Sequence, residues 1–319
     1  MFSINQCKLQ AKQQLKGNTG PLMNASLIMF AISAMLALTN SRISQVMPFM
    51  TFSFRVIQFC ITSILGFALT YLAMKLVKTR TSSFTDYQIG LTKIKPALLG
   101  NLWHTLFLTL WKLIFIVPIS IIISIPFSIA IFNVLDLGNI DWTTVDPNRF
   151  APENFNIEEM SQNILNEVQQ FFETHYVLAI LLGLLFIGLA IITIIKGIQY
   201  SQMFMVLAES ALENKKVSVP KAMNLSKELT KGKKGKLFVF YLSFIGWISL
   251  ACLPVFILAI LKESHVLESE MLFTTLVSLT VSLGCTLLLP YIRTAFVNVY
   301  GFLKEEAVNS GKLNLEDFE

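Results

Sequence analysis

The sequence predicts an all-α integral membrane protein with six transmembrane helices, and three observations carry that prediction. The 319 residues are 54% hydrophobic and only 14% charged, against about 45–50% apolar and roughly 25% charged in an ordinary soluble domain. Mean hydropathy is +0.63, so the chain has too little polar surface to cover itself in water. Its apolar runs match the thickness of a bilayer, and basic and acidic connections alternate between them. With 26 Phe and 12 Met against 20 acids, a disordered tail, a coiled coil and an ordinary cytosolic enzyme are excluded.

A helix needs about 20 mostly apolar residues to cross ~30 Å of hydrocarbon. Four stretches meet that requirement: Leu22–Leu38 (short, with Asn24 near its start), Val56–Val77, Leu237–Leu261 and Met271–Ile292. Two longer zones, Asn101–Leu135 and Val177–Ala208, each exceed one crossing but cannot hold two with a turn. Each is read as one long, bent helix. Residues 1–20 form a lead-in in which Lys8, Lys12 and Lys16 alternate with Ile4, Leu9 and Leu15, the spacing of an amphipathic helix. That polar stretch is long for the basic region of a signal peptide, and no clear cleavage site follows. The first crossing is therefore expected to be retained.

Orientation follows from the connections, because Lys and Arg are held on the cytoplasmic side. The lead-in carries three Lys and no acid. After the second crossing come Lys75, Lys78, Arg80, Lys93 and Lys95 against Asp86. The segment 209–236 holds eight Lys against Glu209, Glu213 and Glu228. By contrast, 136–174 carries Asp136, Asp141, Asp146, Glu153, Glu158, Glu159, Glu167 and Glu173 against Arg149 alone, and 262–270 carries Glu263, Glu268 and Glu270 against Lys262. This alternation places both termini, including the tail 304–319, in the cytoplasm.

Two polar elements stand out. The acidic external segment 136–174 has helical apolar spacing in its second half (Ile157, Ile164, Leu165, Val168, Phe171, Phe172). It is expected to run into the fourth crossing as one helix. Inside, Ser218–Thr230 reads as a short interfacial helix, with Ser218 as N-cap, Pro220 in the first turn, Ala222, Leu225 and Leu229 on one face, and Gly232 as a stop. A weak internal echo links Trp111…Pro118 to Trp247…Pro254. Each pair follows a basic amphipathic stretch, and chance remains an alternative to a parallel repeat.

Ser226-Lys-Glu-Leu-Thr-Lys-Gly232, Leu242-Ser-Phe-Ile-Gly-Trp247 and Pro290-Tyr291 with Thr294, Ala295 and Tyr300 carry a resemblance. They resemble the motifs of a bacterial family of multi-pass membrane proteins of unknown function, marked by S-F-I-G-W and P-Y-x-x-T. Leu110-Trp111…Pro118 and Tyr200-Ser201 look like its middle, and Ala11-Lys12…Leu15-Lys16 like its start. Members usually join the Trp–Pro helix to the Tyr–Ser helix by a short link, whereas about 80 residues separate Pro118 from Tyr200 here. The family is distantly similar to the membrane domain of some glycerophosphodiester phosphodiesterases, but no phosphodiesterase catalytic domain is present. The resemblance implies a fold and a membrane location, and no activity.

Candidate sites are few. Lys112 and Lys196 fall about mid-membrane if the long zones span from Trp103 and to Ala208. A lysine there costs roughly 2.5–3.5 kcal/mol and marks an anionic ligand or pathway. If the spans shift to 113–135 and 177–196, both lysines snorkel to the inner surface instead. Lys231, Lys233, Lys234 and Lys236 are candidates for contact with anionic headgroups, at about 1 kcal/mol each; retention on the inner side alone would also explain them. Ser120, Ser124 and Ser128 recur at helical spacing, as do Ser278 and Ser282, with Ser243 and Gly246 beside Trp247. Such stripes let helices pack closely, with a polar pore lining as the alternative. Pro118 and Pro126 would bend the third crossing.

Cys7, Cys60, Cys252 and Cys285 form no CxxC pair, and His104, His175 and His265 are isolated. No metal, cofactor or nucleic acid is expected. No nucleophile triad, phosphate loop or carboxylate pair supports an enzyme. The sequence therefore predicts a non-catalytic protein of the bacterial inner membrane. It would act by binding lipids, or a protein partner through 136–174. The alternative is a permease or lipid-handling protein for an anionic solute or headgroup.

Overall fold

The computed structural model describes residues 3–135, 157–264 and 269–318. These form thirteen α-helices: α1 (Ile4–Leu15), α2 (Thr19–Val46), α3 (Thr51–Thr79), α4 (Phe84–Thr92), α5 (Ile94–Val134), α6 (Ile157–Thr174), α7 (Tyr176–Tyr200), α8 (Met203–Leu212), α9 (Val219–Thr230), α10 (Lys234–Leu242), α11 (Ile245–Ala251), α12 (Pro254–Glu263) and α13 (Glu270–Asn309). No strand occurs among the described residues. Six helical stretches are long and apolar enough to cross a membrane: Thr19–Asn40, Thr51–Thr79, Ile94–Val134, Tyr176–Leu212, Lys234–Ala251 and Leu272–Asn309.

The long apolar zones resolve differently. The first runs unbroken as α5 through Pro118 and Pro126. The second breaks at Ser201–Gln202 between α7 and α8. The fifth expected crossing divides into α10, α11 and α12, the last starting at Pro254, whose missing N–H cannot continue the preceding ladder. The sixth continues without interruption to Asn309. The expected fusion of α6 with the fourth crossing is interrupted at His175, whose N–H still reaches the Phe171 carbonyl at 2.9 Å. The first part of the acidic segment, 136–156, and residues 265–268 lie outside the described residues.

The chain divides into two compact units, Met1–Thr105 with Ile198–Glu319, and Leu106–Gly197. In the first, α13 packs against α1, α2, α3, α9, α11 and α12, while α3 packs against α2, α4 and α8. Burial concentrates toward one end of these helices: Leu65–Leu76 of α3, Met203–Ser210 of α8 and Thr294–Leu303 of α13. Farther along the same helices, Phe52, Val56, Leu272 and Leu283 are exposed, as are Met35 and Ile257 on their neighbours. Such apolar faces suit hydrocarbon rather than water.

Short helices close the packed end. Ser83 and Asp86 form a capping box at the start of α4, pairing two otherwise orphaned backbone donors. Gly90 then lets α4 lie against α3, since a Cβ there would come 2.9 Å from Ala68 Cα. Ser218 caps α9 by accepting the Lys221 N–H at 3.4 Å, and Ala222, Leu225 and Leu229 are buried as one face.

In the second unit, α5 and α7 approach where Gly188 faces Phe115; a Cβ on Gly188 would meet that ring at 2.4 Å. On α6, Ile164, Val168, Phe171 and Phe172 are half-buried and Leu165 is exposed. Asn133 donates to Glu167 at 3.3 Å, and the His175 ring stacks on Phe171 at 4.4 Å.

Candidate functional site

The packed end of the first unit holds most of its buried polar chemistry. At the break between α7 and α8, the Gln202 N–H and the Gln199 carbonyl lack helical partners. Ser226 of α9 serves both: its hydroxyl accepts from Gln202 N at 3.1 Å and donates to the Gln199 carbonyl at 2.9 Å. Thr230, one turn later, donates to the Ser226 carbonyl at 2.9 Å. The stop then comes at Gly232 with φ of 77°, a conformation glycine adopts without strain.

Glu209 of α8 lies 6% exposed in this layer. Lys78 from α3 approaches it at 2.6 Å, Lys304 from α13 at 2.7 Å, and the Tyr300 hydroxyl donates to it. A buried carboxylate needs this charge and hydrogen bonding to remain in place. Lys78 also pairs with Glu213, which Lys215 meets at 3.1 Å. Burial raises the Glu213 carboxyl, but bonding to Lys78 and Lys215 outweighs it and holds the group below the usual range.

Asp86 accepts from Lys75 at 2.5 Å and from the Ser83 N–H and hydroxyl at 2.8 and 2.9 Å. Burial again raises its carboxyl, and these bonds together pull it below the ordinary value. The Gln14 and Asn298 amides exchange hydrogen bonds at 3.1 and 3.0 Å, and Asn298 also donates to the Cys7 carbonyl. Burial pushes the Cys7 thiol up to about 11, making it a small hydrophobe rather than a nucleophile. The Tyr87 phenol, also buried, is pushed up to about 12.

The expected headgroup lysines stand at the edge of this layer. Lys231 lies 3.6 Å from Glu228, and Lys233 lies 3.1 Å from Glu306. Lys231 and Lys234 border a cleft of about 600 Å³ with Gln199 and Lys227, and Lys236 is exposed. In the second unit, Lys112 and Lys196 are both half-exposed, and the Lys196 ammonium sits 3.5 Å from the centre of the Trp111 ring. That aromatic face is a favourable seat for the cation.

Ser120, Ser124 and Ser128 occupy exposed positions on α5, where the first two hydroxyls donate to the Val117 and Ile121 carbonyls. Ser278 and Ser282 line a groove of about 480 Å³ between α2 and α13. Ser243 donates to the Phe240 carbonyl, and its own carbonyl accepts from Lys8 at 2.8 Å. A Cβ on Gly246 would meet nothing within 4 Å, whereas one on Gly284 would stand 2.5 Å from the Ala251 carbonyl. The tight helix approach is therefore at Gly284.

Sequence reasoning missed Glu209, Tyr300 and Lys304 as one cluster, because 91 residues separate the first two. Asn298 with Gln14 escaped for the same reason. Among the described residues, no group of three His, Cys, Asp or Glu side chains converges in a manner able to hold a metal. What the arrangement offers chemically is paired internal charge with lysines ranged around it.

Six helical stretches of membrane-spanning length and composition among the described residues define the class as a multi-pass membrane protein. The chain belongs to the family described as "Protein of unknown function (DUF975)", which matches residues 1–307. Neither a curated protein nor a solved structure matches it.

Proposed function

We propose that this is a non-catalytic multi-pass protein of the bacterial cytoplasmic membrane, with both termini inside, that works by binding. Anionic lipids would be its partners at the basic end, and the acidic segment 136–174 would meet a protein partner outside. The distant likeness to a phosphodiesterase membrane domain belongs to the same proposal. The observation that carries it is the closed, polar end of the first unit: α4 and α9 are packed there, and Lys231, Lys233, Lys234 and Lys236 sit at its edge. Basic side chains at that level attract anionic headgroups.

The test is the lipid that accompanies the purified protein. Enrichment of anionic over zwitterionic phospholipid, relative to the membrane of origin, is expected; an unselected composition would overturn the reading. Deleting residues 139–163 should abolish the cellular function while the rest still inserts. Unchanged function would remove the external segment as a working surface.

A permease for an anionic solute is the second reading, resting on Lys112 and Lys196 within apolar helices. The Trp111 ring beside Lys196 satisfies that cation without a solute and favours binding over transport. Lys112→Met and Lys196→Met should leave lipid selectivity intact. Loss of solute uptake in both would favour the permease.

A further inference from the structure

A second cleft in the first unit, of about 580 Å³, lies where α5 begins and α8 ends. Lys93 and Lys95 border it from one side, Lys215 and Lys216 from the other, and Leu99 and Trp103 are among its apolar walls. We infer that this cleft is the seat of one phosphate-headed anionic lipid, with the phosphate among the four lysines and the glycerol and upper chain against the apolar wall. The inference rests on the lipid-binding reading above and names where and how such a lipid is held.

Four features converge. First, no Asp or Glu is among the described residues lining the cleft; the nearby Glu213 is engaged by Lys78 and Lys215. Second, two helices begin at its wall: Lys95 and Pro96 lie in the first turn of α5, and Val219 and Pro220 in the first turn of α9. Neither first turn contains an acid. Helix N-termini carry partial positive charge and favour an anion. Lys95 stands in one such first turn, and the uncharged Ser218 caps the other, so an anion in the cleft meets favourable partial charge from both.

Third, the basic loop is built rather than loose. Ser210, 5% exposed, donates its hydroxyl to the Lys215 carbonyl at 2.9 Å and accepts the Val217 N–H at 3.2 Å. Its carbonyl accepts the Lys215 N–H at 2.9 Å. Asn214 takes a left-handed turn with φ of 53°, which asparagine tolerates better than most residues. Across the cleft, Gly100 permits α5 to approach Leu207 of α8 so closely that a Cβ would come 2.9 Å from its side chain. The backbone that carries Lys215 and the helix that carries Lys95 are thus held at one corner of the first unit.

Fourth, the apolar stretches Ile94–Val134 and Tyr176–Leu212 begin and end beside these lysines, and Trp103 follows on the first of them. Lys and Trp side chains both suit a membrane–water interface. A soluble phosphate would use the lysines but have no need of Leu99 or Trp103. The apolar wall selects the lipid.

The test uses the full chain, delipidated in nonionic detergent and titrated with phosphatidylglycerol or phosphatidylcholine, with bound lipid counted by native mass spectrometry. Wild type should retain one phosphatidylglycerol in preference to phosphatidylcholine. Lys93→Gln/Lys216→Gln should weaken that binding about 30-fold, the effect of two lysines at the surface. Lys12→Gln/Lys312→Gln removes equal charge elsewhere and should change it less than threefold. Leu99→Asn should weaken lipid but not inorganic phosphate. Melting curves of each variant confirm folding.

No preference in wild type would overturn both this site and the lipid-binding reading. Selective wild-type binding that the cleft variant retains would overturn the site alone. Displacement of the lipid by glycerol 3-phosphate at comparable concentration would overturn the lipid assignment and leave a soluble phosphate as occupant.

Discussion

Ser226 bonds Gln202 across a helix break: the hydroxyl on α9 accepts the backbone N–H at the start of α8 at 3.1 Å. It simultaneously donates to Gln199 before the break. One side chain therefore joins the ends of two helices and docks a third against them. Ser226→Ala would orphan the buried Gln202 N–H, at roughly 1–3 kcal/mol, and leave the Gln199 carbonyl only the longer contact from the Thr230 hydroxyl at 3.5 Å. The thermal midpoint of the purified protein should fall by several degrees, and Ser226→Thr should recover part of it. An unchanged midpoint would show that water replaces the hydroxyl.

Glu209 and Lys304 should be strongly coupled. Removing the carboxylate alone leaves Lys304 without its acid while Lys78 keeps Glu213, so the cost should stay below about 3–5 kcal/mol, that of a fully buried broken pair. Lys304→Met should cost less, because Lys78 still neutralises Glu209. A double-mutant cycle of Glu209→Gln with Lys304→Met, read by chemical denaturation, should give an interaction energy above ~1 kcal/mol. Additive effects would mean the two act independently.

The Asp86 carboxyl is held below its unfolded value of about 3.9, so the unfolded chain binds more protons between the two values. Its contribution to stability is then complete above about pH 4 and is lost as pH falls toward the folded value. Glu213 shares that direction. Midpoints recorded from pH 6 to pH 3 should fall for wild type and fall less steeply for Asp86→Asn. Parallel curves would remove Asp86 from the acid response.

Gly284 and Gly246 separate two kinds of small residue. Gly284→Ala drives a methyl into the Ala251 carbonyl and should destabilise by about 1–3 kcal/mol through overpacking. Gly246→Ala, with open space around it inside α11, should stabilise by up to about 1 kcal/mol through helix propensity. Thermal melts of both variants check the pair, and equal shifts would contradict it.

The six spans were legible because each is a long apolar run, and α9 was legible from Ser218, Pro220 and its buried face. These are local signals. The breaks at Ser201–Gln202 and Ser243–Phe244 carried no such signal: the first is sealed by Ser226, a residue 24 positions away from Gln202. The contact of Lys196 with the face of Trp111 is hidden in the sequence, because 85 positions separate the two residues. The cleft of Lys93, Lys95, Lys215 and Lys216 was hidden for a related reason. Each pair reads as an ordinary inner-side charge until the fold places both at the same corner.

Selective binding of anionic lipid at the basic end is measured most directly through linkage. A ligand that binds only the folded chain raises stability by RT ln(1 + [L]/Kd), about 2.7 kcal/mol at a hundredfold excess over Kd. Thermal midpoints should be recorded in neutral micelles titrated with phosphatidylglycerol and, separately, with phosphatidylcholine. A saturating rise of several degrees is expected with phosphatidylglycerol, reduced by salt, and none with phosphatidylcholine. Identical curves for the two lipids would contradict it.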